Sequence, residues 1–311
     1  MTGLATFVPG VGALSERKSG GTSDPLYCYW VWLRHWRLLS ENGLPGVPTV
    51  VAELGPGDSL GAGIAALLTG ARSYYALDVV KYADTATNLR VLDSLVQLFR
   101  ERTPIPEGRF STPLLEKAGF PEDFDVDELL SPQRLAAIRA AIVEMGVKRD
   151  GFLLSYEPSW TGDGMSLPEQ PEVIFSQTVL QYVDDLPQVY RAMHRWLSPG
   201  GYVSHQIDFS SQNFARAWNG HWSYSDFSWR MIRGRRRYAI NRAPLMWHLR
   251  HLEEAGFGLI EIRRVTAAPL ERHKLAKRFV QLTDADLTTA SAYLQGRKTE
   301  LSSASSAALD R

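Results

Sequence analysis

Cysteine is nearly absent: Cys28 is the only one among 311 residues. An intrachain disulfide framework is therefore excluded. Charge of either sign is not in excess, because 34 Lys and Arg balance 34 Asp and Glu. No broad attraction to nucleic acid or to a membrane surface follows from such a balance. No apolar run reaches about 18 residues, so no membrane-spanning helix is expected. The N-terminus has no basic stretch leading into an apolar core, so a secretory signal is not expected and a cytoplasmic location is. Internal repeats are lacking, as is the tight His, Cys and carboxylate spacing of a metal centre, so no metal is expected. What the chain does have is bulk. With 44% hydrophobic residues it can bury one large domain, alone or with additions.

The most informative stretch is Val50-Val51-Ala52-Glu53-Leu54-Gly55-Pro56-Gly57-Asp58-Ser59. Val50 to Leu54 is apolar except for Glu53, as a strand covered on both faces should be. Gly55 and Gly57 permit a tight turn and close approach of another molecule to the backbone. Leu60 to Leu68 then reads as a helix. A glycine turn opening a helix offers N–H groups and a positive dipole end, so a small anionic or zwitterionic cofactor is expected here. A dinucleotide fingerprint would place a third glycine at position 60, where Leu60 stands. A phosphate-binding loop would need a following Lys, and none is present.

An acid, then G-x-G, then a short polar turn resembles motif I of the class I S-adenosylmethionine-dependent methyltransferases, with Glu53 as the acid. Three later stretches extend the resemblance in order. Ser73-Tyr74-Tyr75-Ala76-Leu77-Asp78 reads as a second strand ending in a carboxylate. Glu172 to Gln177, with Val179 to Val183 after it, resembles the fourth strand and its loop. Leu197-Ser198-Pro199-Gly200-Gly201-Tyr202-Val203 resembles the turn into the fifth strand. The resemblance covers roughly residues 48–210. It implies a doubly wound, seven-stranded, mostly parallel Rossmann-like sheet with an antiparallel last strand and helical lid insertions.

It also implies S-adenosyl-L-methionine as cofactor. Gly55 and Gly57 would admit its methionine and sugar parts, Glu53 would reach its amino group, and Asp78 would take the ribose diol. Asp163, in Thr161-Gly162-Asp163-Gly164, would meet the adenine, and Gln177 would sit near the methionine end. The base is less legible. Many small-molecule relatives read E-H-V where this chain has Gln181-Tyr182-Val183. His205, near the end of the fifth strand, and His221, in an aromatic loop, are the candidates. The alternative for each is a hydrogen-bonded structural histidine. Tyr182, Asp208, Trp222 and Arg235 are candidate acceptor contacts. Strand alternation places His205 and Ile207 on one side, Gln206 and Asp208 on the other. The cluster Arg233, Arg235, Arg236 and Arg237 is either a solvated run or a site for an anionic group.

The remaining organisation follows from pattern. Residues 1–24 and 299–311 read as disordered tails, and 25–298 as the methyltransferase domain. Tyr29, Trp32, Leu33, Trp36 and Leu39 share one face of a helix. Helices are expected over Ala83–Arg102, Pro132–Met145 after Ser131, and Leu245–Ala255. Strands are expected over Phe152–Tyr156, Phe257–Val265 and Thr289–Arg297. Insertions near 103–150 and 210–250 are expected to cover the pocket. The expected activity is O-methylation of a small-molecule or glycan-type acceptor, including anionic ones. N- or C-methylation, and a cofactor-binding regulator without catalysis, are the alternatives. Neither the acceptor nor the oligomeric state is legible.

Overall fold

The computed structural model describes residues 21–105, 119–122, 124–158, 164–236 and 239–299. Seven strands form one sheet: β1 (Val50–Leu54), β2 (Ser73–Asp78), β3 (Leu153–Pro158), β4 (Val173–Gln177), β5 (Tyr202–Asp208), β6 (Phe257–Thr266) and β7 (Thr289–Lys298). Their order across the sheet is β3-β2-β1-β4-β5-β7-β6. The first five run parallel, and β7 lies antiparallel between β5 and β6. Every residue of β1, β2 and β4 is buried. Helices on both faces exclude water, so these strands read as apolar runs rather than alternating ones. β1 and β4 are neighbours although β2 and β3 follow β1 in sequence. That reversal opens a crevice at their carboxyl ends, where open α/β sheets bind ligands.

The helices are α1 (Pro25–Glu41), α2 (Gly61–Thr69), α3 (Thr85–Arg100), α4 (Val126–Leu129), α5 (Pro132–Val143), α6 (Leu186–Trp196), α7 (Asp226–Arg233), α8 (Leu245–Glu254) and α9 (Asp284–Thr288). One layer holds α1, α2, α3 and α5, which contact one another and the sheet. The other holds α6 and α8, also in mutual contact. α1 starts cleanly because Pro25 sits in its first turn and Asp24 accepts the Leu26 N–H. The expected aromatic face is present, and burial extends round to Trp30, Arg34 and His35. α1 is thus a core element rather than an edge helix.

Several expectations change. Ser131 stands at the start of α5 without a side-chain cap bond. α5 buries Ile138, Ala141 and Ile142 in the main core and contacts α2, α3 and β3. It is a layer helix, so the lid expected over 103–150 does not include it. α8 likewise belongs to the sheet's second layer. Asp284–Thr288 forms a short helix, with the Thr283 side chain accepting from the Asp286 N–H. The tail expected over 1–24 is ordered at its end, where Thr22 binds the glycine turn. The rest of that tail, residues 1–20, and residues 300–311 lie outside the described residues. No helix among the described residues is long and apolar enough to cross a membrane.

Candidate active site

The glycine turn follows β1 as expected. Gly55 and Gly57 have φ of 66° and 79°, a region where a side chain is strained. A Cβ on Gly55 would lie 2.6 Å from Val179 Cγ2, so this glycine is also required for space. The turn's donors are less free than a bare helix start would leave them. The Gly57 N–H points at Asp78 Oδ2, 3.4 Å away. The Asp58 N–H binds Thr22 Oγ1 at 2.7 Å, the Leu60 N–H binds Asn88 Oδ1 at 2.9 Å, and the Gly61 N–H reaches Ser59 Oγ at 3.2 Å. Side chains thus take up the turn's Asp58 and Leu60 donors and the first donor of α2 at Gly61, which leaves fewer N–H groups for a ligand than a bare helix start would. The polar groups that remain are carboxylates.

Glu53 and Asp78 supply them. Asp78 ends β2 and is buried, and burial raises its pKa. Its Oδ1 accepts from the Val79 and Val80 N–H groups at 2.7 and 3.4 Å. Two carboxylate oxygens offer roughly four acceptor positions, and with the two long bonds from Val80 and Gly57 counted, capacity for a further donor remains. Glu53 is buried in β1 and accepts from Tyr74 Oη at 2.5 Å. Burial raises it to about 8, against the lowering effect of that hydrogen bond and with a further increase from Asp78.

Gln177, at the end of β4, belongs to a buried chain of hydrogen bonds. Its Oε1 faces His35 Nε2 at 3.2 Å and Tyr293 Oη at 3.2 Å, and its Nε2 donates to Gln206 Oε1 at 3.4 Å. His35 Nδ1 lies 2.8 Å from Ser204 Oγ, which accepts from Gln295 Nε2 at 3.1 Å. Gln295 Oε1 in turn accepts from Asn42 at 3.0 Å. Burial holds His35 at about 3, so it is neutral. A neutral imidazole that donates from Nε2 accepts the Ser204 hydroxyl at Nδ1. The chain thus ties α1, β4, β5 and β7 together behind Gln177.

The edge beyond Gln177 gathers groups from three elements. Thr178 has φ of 55°, and its N–H binds the Gln206 carbonyl at 2.9 Å. The Tyr27 phenol hydrogen-bonds the Thr178 side chain and is pushed up by burial. Tyr182 is half-buried, raised first by burial and then by the Asp208 charge. Asp208 is half-buried at the end of β5, where it accepts from the Ser210 N–H at 2.7 Å and from Gln212 Nε2 at 2.6 Å. Tyr182 therefore lies within reach of the Asp208 charge.

The two candidate histidines are buried instead. His205 is fully buried within β5, with Nδ1 2.8 Å from Ser176 Oγ and its ring edge-on to Tyr190. His221 is buried in a short 3-10 turn against Trp222 and Trp229. Burial lowers both to about 3. Trp222 stacks on Phe279 and donates to the Arg242 carbonyl at 3.0 Å, which makes it a core residue. Arg235 is exposed beyond α7, while neighbouring Arg233 is bridged to Asp184 at 2.7 Å. Asp163 and Arg237 lie outside the described residues. Among the described residues no group of three His, Cys, Asp or Glu could hold a metal.

Sequence reasoning missed Thr22, Tyr27, His35, Tyr74 and Thr178. Each looked like tail, helix face or strand filling, because its partner lies far along the chain. Only Tyr27, at the head of an aromatic helix, carried a usable signal.

A methyltransferase domain model matches residues 138–204. No curated protein matches the chain. Solved structures similar in fold include an S-adenosylmethionine-dependent methyltransferase from Mesorhizobium loti, at 16% identity over 85% of this chain and 97% of that one, TM-score 0.43. Phosphoethanolamine N-methyltransferase 2 of Haemonchus contortus is 13% identical over 94% of this chain and 61% of that one, TM-score 0.46. The matched domain, the strand order with an antiparallel β7, the glycine turn after β1 and the carboxylate closing β2 together support a class I S-adenosylmethionine-dependent methyltransferase fold and an S-adenosylmethionine site.

Proposed function

We propose that this methyltransferase moves the methyl group to an oxygen of a small acceptor held at the carboxyl ends of β4 and β5. The observations that carry this reading are the Tyr27–Thr178 hydrogen bond directly after Gln177 and the Asp208 charge felt by Tyr182 at the end of β5, while both histidines are withdrawn into the core. When bound, the cofactor supplies a methyl activated on a sulfonium, and the protein must align acceptor and methyl. Gly55 and Gly57 admit the cofactor's backbone-facing side, Glu53 faces its ammonium, and Asp78 accepts from its ribose hydroxyls. Gln177, with its carbonyl saturated by His35 and Tyr293, presents its amide at the methionine end.

Asp208 is the group suited to take the proton that an acceptor hydroxyl gives up. It stays within reach of solvent, so the proton can leave. Tyr182 and Tyr27 remain protonated and can donate to the acceptor. Arg235 would attract an anionic acceptor, a reading supported by the Arg233–Asp184 bridge that holds the run beside the loop after β4. A nitrogen acceptor is the second reading, because the Asp208 carboxylate also attracts an ammonium group. Labelled methyl transfer to a panel of phenols, sugars, carboxylates and amines tests both. Turnover of hydroxyl acceptors, reduced at least about tenfold in Asp208→Asn, supports the first. Turnover of amines alone favours the second, and cofactor binding with no transfer to any acceptor would leave a binding protein without catalysis.

A further inference from the structure

The Glu53 carboxyl is set deeper than a ligand group needs to be. Four titratable groups act on it or feel its charge: Tyr74 and Asp78 from β2, and Tyr27 and Cys28 from α1. None of the four is a cation. A carboxylate so placed is destabilised by burial and by Asp78, and the Tyr74 hydroxyl is the group that favours its ionised form. That hydroxyl donates to Glu53 Oε2 at 2.5 Å from the neighbouring strand. It leaves Oε1 for another partner.

Tyr74 reaches this position through a gap in α2. Its side chain is fully buried beneath that helix. At Gly63 an ideal Cβ would lie 2.0 Å from Tyr74 Cζ and 2.2 Å from Cε1 and Cε2. Gly63 has ordinary helical backbone, so the glycine serves space rather than conformation. A glycine inside a helix costs about 1 kcal/mol relative to alanine, and here it admits one phenol ring.

We propose that Tyr74 is a positioning residue for the cofactor: seated in the Gly63 gap, its hydroxyl holds Glu53 beneath the glycine turn and favours the ionised form that would face the cofactor's ammonium. This rests on the reading of Glu53 as the partner of that ammonium. Tyr74 itself touches no part of the ligand, and it acts only through Glu53.

Calorimetry with two nucleosides separates this role from a structural one. S-adenosylhomocysteine carries the ammonium, and 5′-methylthioadenosine lacks the whole amino-acid portion. Tyr74→Phe keeps the ring in its gap and removes only the donor. It is expected to weaken S-adenosylhomocysteine about tenfold near neutral pH, the scale of one hydrogen bond to a charged group. The pH midpoint of its binding should move up by about one unit, since Glu53 ionises less readily. Binding of 5′-methylthioadenosine should stay within about twofold of wild type, which also shows that the variant is folded. In a Glu53→Gln background the same change should add nothing. Equal weakening of both nucleosides, no change in S-adenosylhomocysteine affinity, or additive losses in the double variant would each overturn the proposal. Wild type that binds both nucleosides with Glu53→Gln unaffected would overturn it through Glu53. Wild type that binds neither would remove the cofactor reading itself, and the proposal with it.

Discussion

The cofactor edge and the region after β5 are built by opposite rules. At the cofactor edge, short-range motifs set polar groups at the ends of buried strands: Glu53 in β1, Asp78 in β2 and Gln177 in β4. Several backbone donors there are taken up by side chains, and the carboxylates face the turn beside them. The region after β5 has the richer side chains, yet it spends most of them on itself. Trp222, Leu275, Phe279, Leu282 and Leu287 form a small separate core, with Trp218 and Trp247 against it. Arg242 is buried beneath it, stacked over Trp229 and Phe279 and paired with Asp226 at 2.5 Å. Aromatic and Arg density in a sequence can therefore mark a local core as readily as a binding face. In the function proposed above, two groups outside that density, Tyr182 and Asp208, serve the acceptor instead.

The largest expected effect falls on the second region. Trp222→Ala should cost about 3–5 kcal/mol of stability, because a fully buried stacked ring is removed. Urea unfolding measures it, and S-adenosylhomocysteine affinity should stay within about twofold. An equal loss in both quantities would break the separation of the two regions. The reverse pattern is expected for Asp78→Ala at the cofactor edge. Two lost charge-assisted hydrogen bonds should weaken S-adenosylhomocysteine roughly a hundredfold in calorimetry.

Acid stability should separate the buried histidines from Glu53. His35, His205, His221 and His248 are each lowered to about 3 by burial. Their unfolded pKa is about 6.5, so between those values the unfolded chain binds the extra protons. Stability therefore falls as pH falls through this window, by about 1.4 kcal/mol per pH unit for each histidine. Glu53 has the opposite sign: it is raised to about 8, and its stabilising contribution is complete below about 4.5 and lost as pH rises through about 8. Urea midpoints measured at several pH values check this. Removing His205 as His205→Gln should flatten the acid slope without removing turnover, and abolished turnover would restore it as a base. The smallest effect is expected from Asp184→Ala. Its bridge to Arg233 is largely exposed, so stability should change by less than about 1 kcal/mol. Any rise in KM for an anionic acceptor would then report the Arg run's orientation.

The strands and the glycine turn were legible because they depend on neighbours a few residues apart, and the mostly parallel sheet with its antiparallel last strand followed from the family resemblance. Val50–Leu54 with Gly55 and Gly57, Asp78 closing its strand, and Pro199-Gly200-Gly201 before β5 are local statements about buried strands and turns. His35 was not legible, since its partners Ser204 and Gln177 lie 169 and 142 positions away. Tyr74 read as strand filling, and only the packing of α2 over it reveals the hydroxyl's target. His205 misled because its place near a strand end suggested the ligand edge, whereas its side chain turns into the layer of Tyr190. The helix at α5 was legible, but its place in the insertion over 103–150 read as lid because a sequence pattern does not say which layer a helix packs against.

Titration calorimetry of the wild-type chain and of Asp78→Ala, with S-adenosylhomocysteine and with NAD, tests the central claim most directly. Wild type should bind one S-adenosylhomocysteine per chain and no NAD, and Asp78→Ala should bind S-adenosylhomocysteine roughly a hundredfold more weakly. Binding of NAD in its place, or S-adenosylhomocysteine binding unchanged by Asp78→Ala, would contradict the account.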